Sequence, residues 1–554
     1  MLDTNRVRKL LNKLADQKWL IWFNGIGITL LFVALRWNNF ETPLVRDEGE
    51  YAYAAQILAR GMPPYRHSFL QKPPMVVYSY ALAQAILPNT FWAPRLLAYF
   101  CIGAATVLLG LVARVEFGSG FAFPTMWLFT PMVILPEVQQ FTANTEMFLL
   151  LPLIGTVAVC VFSLHRAGVP PRNLRFRWTW FVAGILGGVT VWYKYTAVPL
   201  VGAIFIAWSI RQCQQCGLLA PRLREMVYSV CVLLSCWLAA LAGAILASFG
   251  ALAFFIFKGG LNELWECTVV FNRAYAGSST FGFSSLWFCI KLLWNSWWIL
   301  FLLPLVLLIK PGQKLWFWGV LFFGAWGATG ASVYGHYYIP VMPFWALIAV
   351  LGIHRGAAAL ADFLRHQEGV TRSVFIIIAI AAVCYPDLSW IARSKDQFIV
   401  QRLRTGNPFT ESEDAARRVS NLTSPSDYVY IAGSEPQILY YARRLSATRF
   451  VIAYPLMFPT PFAKVYQQEM MRDLGERPPV VIVVARSKFS WLIQEDSPRE
   501  FWKYLEQLLS RDYERIGGYV DEGDRAAWKE PLTNEEVTAC ELVLFKRKIP
   551  NRVR

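Results

Sequence analysis

Two short stretches of this 554-residue chain carry side chains able to do chemistry together. Arg46-Asp47-Glu48-Gly49-Glu50-Tyr51 opens the segment after the first apolar block, and Gln71-Lys72-Pro73-Pro74 lies near its far end. Acids at one end and a returning lysine at the other supply a carboxylate that can accept a proton and an ammonium that can neutralise an anion. A plainer reading fits the same residues. Asp47 and Glu50 have the spacing of a helix-capping arrangement, and Lys72 can snorkel to lipid phosphates. Polar residues interrupt apolar stretches elsewhere too. Thr142-Ala143-Asn144-Thr145-Glu146 leads into one, Lys194 sits inside Trp192-Tyr193-Lys194-Tyr195, and Arg273 precedes another. Tyr334-Gly335-His336-Tyr337-Tyr338-Ile339-Pro340 opens a further block. A carboxylate entering an apolar helix is costly and marks a candidate functional position. An N-cap at Asn144 or Thr145, with Glu146 in the dipole-favoured first turn, accounts for it equally. Lys194, Arg273, His336 and Tyr338 read either as interface residues or as phosphate contacts.

The elements that must hold these residues are membrane spans. The chain is 56% hydrophobic and 16% charged, with a mean hydropathy of +0.38, against roughly 25% charged in a soluble domain. That composition excludes a disordered chain, a secreted protein, a cytosolic enzyme and a nucleic-acid binder. Apolar blocks predict eleven spans, over residues 19–36, 91–113, 121–138, 146–164, 178–193, 196–210, 226–257, 285–309, 315–332, 336–353 and 373–391. Arg6, Arg8, Lys9, Lys13 and Lys18 fix the N-terminus on the cytoplasmic side, and the basic excess then recurs in alternate loops, as the positive-inside rule requires. The net charge of +16 therefore sets orientation. The basic N-terminus, with no short apolar core and cleavage site, predicts an uncleaved signal anchor. Cys213-Gln-Gln-Cys216 has no second pair or histidine at zinc spacing and reads as an inert reduced pair. Residues 1–391 are thus predicted to form a transmembrane domain in the inner (plasma) membrane.

Two outward-facing segments break the pattern. In residues 37–90, Glu48–Arg60 places Tyr51, Ala54, Ala55 and Leu58 on one face, predicting an interfacial helix, and Met75–Leu87 predicts a second. Residues 392–554 alternate strands and helices over Tyr428–Ala432, Glu435–Arg443, Phe450–Ala453, Lys464–Leu474, Val480–Ala485, Arg499–Arg511 and Cys540–Phe545. That predicts a small extracytoplasmic α/β domain.

Asp47-Glu48-x-x-Tyr51-Ala52, Lys72-Pro73-Pro74, Thr145-Glu146 and His336-Tyr337-Tyr338 before Pro340 together resemble motifs of the bacterial aminoarabinose transferase and protein mannosyltransferase family. That family belongs to the GT-C superfamily of integral-membrane glycosyltransferases. The resemblance spans the membrane portion, and Gly433-Ser434-Glu435-Pro436-Gln437 resembles tails of family members. It implies a GT-C helical fold and transfer of a sugar from a polyprenyl-phosphate donor to a lipid, glycan or protein acceptor outside the membrane. Asp47 would be the catalytic base, with inversion at the anomeric carbon, and Glu146 a second catalytic acid orienting sugar or acceptor. Lys72, Arg273 and Tyr338 would hold the lipid phosphate, with Glu48, Tyr51, Lys194 and His336 as further substrate-binding candidates. The family's first loop commonly has an acid where Gln71 stands. Asp47-Glu48 is adjacent rather than spaced as Asp-x-Asp, so no metal or other cofactor is expected. The rival functions are a lipid or glycan transporter, and a sensor or assembly scaffold. Transporters place ionisable residues near the midplane in paired halves, whereas here they cluster at one face.

Overall fold

A computed structural model describes residues 18–37, 40–133, 142–165, 174–215, 223–276, 282–308, 314–329, 332, 334–364, 368–391, 397, 407–523 and 526–548. Arg6, Arg8, Lys9, Lys13 and Cys216, together with the loop residues Arg166, Arg172, Arg222, Lys310 and Arg365, lie outside them. In lipid the backbone must satisfy its own hydrogen bonds, so apolar blocks fold as helices. These are α1 (Lys18–Arg36), α2 (Arg46–Ala59), α3 (Met75–Ile86), α4 (Ala93–Phe117), α5 (Ala122–Met132), α6 (Thr145–His165), α7 (Leu174–Tyr193), α8 (Val198–Gln215), α9 (Leu223–Lys258), α10 (Phe283–Leu302), α11 (Leu315–Gly327), α12 (Met342–Leu364) and α13 (Glu368–Ile391). A helix stands at each of the eleven expected spans. Seven helical segments among the described residues, in α4, α6, α8, α9, α10, α12 and α13, are long and apolar enough to cross a membrane. The chain is a multi-pass membrane protein.

Small residues let α7 and α9 approach closely. A Cβ added at Gly184 would lie 2.0 Å from the Ala240 carbonyl oxygen, and one at Gly243 would lie 2.1 Å from that of Phe181.

The C-terminal segment forms α14 (Ser412–Leu422), β1 (Tyr428–Ala432), α15 (Pro436–Ala442), β2 (Leu445–Ser446), α16 (Ala463–Glu476), β3 (Val481–Ala485), α17 (Glu500–Asp512), β4 (Tyr513–Asp521), β5 (Ala526–Lys529) and β6 (Cys540–Arg547). Its sheet has the order β2-β1-β3-β6-β4-β5. β2, β1 and β3 are parallel, with Val429 opposite Val481, and the other pairs are antiparallel, with Val483 opposite Leu544. The expected α/β character holds, although α14 and β2 lie outside the expected elements. Phe450–Ala453 is buried irregular chain, its Phe450 and Ala453 amides donating to the Thr448 and Ser434 hydroxyls. β4 was not legible, because Gly517-Gly518 interrupts the alternation that marks a strand, and β5 is only four residues long.

The first loop is not a pair of helices lying free at an interface. α2 is buried from Glu48 through Ala55 and at Ile57, since α15 covers the side the amphipathic pattern left polar. The Leu44 amide donates to the Tyr441 hydroxyl at 3.0 Å, and the Ser446 amide to the Tyr53 hydroxyl at 2.9 Å. The Phe69 amide donates to the Arg449 carbonyl at 2.6 Å. Arg449 in turn pairs with Glu266, at 2.9 Å, and with Glu469, at 2.7 Å. Membrane portion and tail share one apolar core. At its tightest point a Cβ on Gly49 would stand 2.5 Å from the Gln437 backbone nitrogen. Gly49→Ala is therefore expected to destabilise the protein by about 1–3 kcal/mol through overpacking, read as a lowered melting temperature of the full-length protein in detergent. An unchanged melting temperature would show that α15 does not press on α2.

Candidate active site

The site begins at a turn. Val45 is extended and the chain enters α2 at Arg46, so the next residues fan out around the first helical turn. Asp47 and Glu50, three apart, share a face, and both line a cavity of about 360 Å³. Glu48 points the other way. One of its carboxylate oxygens accepts from Arg95 Nε at 2.8 Å and from the Ala143 amide at 2.8 Å, and the other is bonded by the guanidinium's Nη2. Both side chains are fully buried. Arg95 also donates to the carbonyls of Phe40, at 3.1 Å, Thr42, at 2.6 Å, and Pro43, at 3.1 Å. This corrects Glu48 as a substrate contact: it braces the turn that presents Asp47.

Lys72 enters the cavity from the loop before α3. The Tyr65 hydroxyl donates to the Lys72 carbonyl at 2.7 Å, and the Asn272 amide to that of Gln71 at 2.7 Å, fixing the loop. The Lys72 ammonium lies 3.4 Å from the Tyr337 hydroxyl. Burial works against its charge, but Tyr337, Glu146 and Asp47 outweigh burial and hold its pKa above the ordinary value. Lys72 is a firm cation.

His336 lines the cavity, its ring edge-on to Tyr337 with centroids 4.9 Å apart. Glu146 and Lys194 stand behind that tyrosine. The Lys194 ammonium is 2.5 Å from a Glu146 oxygen and 3.1 Å from the Tyr337 ring centroid, and neither residue lines the cavity. Tyr338 turns away from it. Its hydroxyl donates to the Ser332 carbonyl at 3.2 Å and its ring packs edge-on against Trp326. The phenol at the cavity belongs to Tyr337, one residue earlier. Tyr51 is buried against Tyr80, with ring centroids 5.5 Å apart, and Arg273 is exposed on a short helix whose Tyr275 lines the cavity instead.

Sequence reasoning passed over part of this lining. Glu50 carried a signal, its three-residue spacing from Asp47. Asn407, Phe409, Ile452, Tyr454, Phe489 and Leu492 come from the tail and carried none. The tail is anchored there by Arg46, which donates to the Ser434 carbonyl at 2.5 Å and to Glu435 at 2.5 Å. Among the described residues, four buried polar atoms around the cavity have no partner: Glu50 Oε1, Gln71 Nε2, Asn144 Oδ1 and His336 Nδ1. Buried polar atoms are ordinarily paired, so this set is shaped for a polar ligand. Among the described residues no group of three or more His, Cys, Asp or Glu converges as a metal site. Glu48, with both oxygens bonded to Arg95, is not available beside Asp47 as a ligand.

No protein-family model and no curated protein sequence matches the chain. Solved structures do. ArnT from Cupriavidus metallidurans bound to undecaprenyl phosphate aligns over 97% of this chain and 99% of its own, at 15% identity and a TM-score of 0.51. The archaeal oligosaccharyltransferase AglB from Archaeoglobus fulgidus, in complex with an inhibitory peptide and a dolichol-phosphate, aligns over 94% of this chain and 75% of its own, at 13% identity and a TM-score of 0.51. The chain shares the fold of these two structures, a membrane helical bundle with a C-terminal sheet domain.

The two neighbouring acids separate in one experiment. Glu48→Ala strands a buried guanidinium and is expected to cost about 3–5 kcal/mol of stability. Asp47, half-buried and lining the cavity, is expected to tolerate Asn with a melting temperature close to wild type. Equal melting temperatures for the two variants would refute this division.

Proposed function

We propose that the protein is a glycosyltransferase that moves a sugar from a polyprenyl-phosphate donor to an acceptor hydroxyl on the outer side of the membrane, with inversion. The observation that carries the reading is one cavity lined by a half-buried carboxylate, Asp47, and a firm cation, Lys72, with unpaired polar atoms around them. Asp47 takes the proton of the acceptor hydroxyl as its oxygen attacks the anomeric carbon. The bond from that carbon to the phosphate oxygen breaks, and the phosphate leaves with the electron pair. Lys72 offsets the growing charge, aided by the Tyr337 hydroxyl and His336. Attack opposite the leaving phosphate inverts the centre. Glu146 acts at one remove, holding Lys194 beneath the Tyr337 ring. Arg273 lies outside this constellation. The basic residues of alternate loops support a cytoplasmic N-terminus in the inner membrane and an extracytoplasmic tail, over the acceptor's side. Support for the donor class comes from the fold, which ArnT has in a structure bound to undecaprenyl phosphate.

Three measurements test the reading with purified full-length protein and a labelled polyprenyl-phosphate sugar. Asp47→Asn is expected to lower transfer below about a tenth of wild type, since an amide cannot serve as the base. Lys72→Ala is expected to slow it by a factor equivalent to several kcal/mol of barrier, because the leaving phosphate loses its counter-charge in a low-dielectric site. Chelation of divalent ions is expected to leave the rate unchanged. Movement of the labelled lipid across the bilayer without release of polyprenyl phosphate would instead establish a transporter.

A further inference from the structure

We propose that Glu50 is a second working carboxyl of this cavity: it keeps a proton while the lipid phosphate binds and donates it in a hydrogen bond to an oxygen of the donor. The inference rests on the lipid-phosphate reading above. Glu50 lies one helical turn beyond Asp47 on the same face, is 6% exposed, and lines the cavity. Its Oε1 is buried with no hydrogen-bond partner among the described residues, so one side of the carboxyl is held ready for a ligand's polar atom.

The surrounding charges explain why that carboxyl is better neutral. On its own helix it has Arg46 and Asp47. From the loop before α3 comes Lys72, and from the segment before α12 come Tyr334, His336 and Tyr337. Tyr275 and, from the tail, Tyr454 complete the titratable lining. Arg46 is committed to Glu435, and Lys194, behind Tyr337, to Glu146. Lys72 is left as the one uncommitted firm cation among these groups. It cannot balance two carboxylates and an arriving phosphate together. Burial, and then the nearby Asp47 charge, push the Glu50 pKa well above its usual range, opposed by Lys72. Asp47 is the more exposed of the two acids and takes the ionised role. Two carboxyls in unequal environments thus divide the work of base and hydrogen-bond donor.

The test measures binding of undecaprenyl phosphate to the full-length protein in detergent, from about pH 6 to about pH 9, for wild type, Glu50→Gln and Glu50→Ala. Glutamine keeps a donor at every pH, whereas the wild-type carboxyl must give its proton up as pH rises. Wild-type affinity is therefore expected to fall relative to Glu50→Gln by at least about 10-fold across the range. The lipid's own ionisation cancels in that ratio. Glu50→Ala, which has no donor, is expected to bind at least about 10-fold more weakly than Glu50→Gln at every pH. A flat ratio, or Glu50→Ala binding as well as Glu50→Gln, overturns the inference and leaves the lipid-phosphate reading standing. Absence of binding by wild type overturns that reading and this inference with it. If the variants do not fold, infrared difference spectra of wild type decide. A protonated-carboxyl band that shifts on adding undecaprenyl phosphate is expected, and its absence overturns the inference.

Discussion

The buried pair of Glu48 with Arg95 is the contact on which the rest of the site depends. Arg95, on α4, gathers the carbonyls of Phe40, Thr42 and Pro43, and Glu48 adds the Ala143 amide just before α6. One ion pair therefore fixes the start of α2 against two spans. A charge pair removed from water is stable only when its remaining donors and acceptors are satisfied, and here backbone carbonyls and an amide satisfy them. Rotating the helix by one residue would break all of these bonds. Asp47 and Glu50 are thereby held to the cavity face.

A second constraint comes from outside the bilayer. The tail covers α2 closely enough that Gly49 has no room for a side chain against Gln437, and Arg46 reaches out of the first turn to Ser434 and Glu435. Arg449 adds a further clasp between the tail and the short helices that follow α9. Part of the cavity wall thus comes from the tail. Tail and membrane portion share one apolar core, and donor and acceptor would meet in a space that neither part encloses alone.

Charge in the site is layered. Behind the cavity, Glu146 and Lys194 neutralise each other under the Tyr337 ring. At its surface stand Asp47, Glu50, Lys72 and His336, and Glu50 and His336 each carry a buried polar atom with no partner among the described residues. Paired charges set geometry, and the unpaired atoms in front of them are those free to meet a ligand.

The sequence by itself determined the membrane character, a helix at each expected span and the two chemical stretches around Asp47 and Lys72, because each is a local property of composition and short spacing. Apolar blocks in lipid have one cheap backbone solution, and acids three apart on a helix share a face wherever the helix lies. Which acid of Asp47-Glu48 faces the ligand, and which tyrosine of Tyr337-Tyr338, was decided only by the tertiary structure. Neighbouring residues on a helical turn point in different directions, so the outcome depends on partners such as Arg95 and Trp326 far along the chain. The tail's share of the cavity was equally illegible, since Asn407, Phe409 and Tyr454 meet Asp47 across more than three hundred residues, and no local pattern encodes so distant a contact.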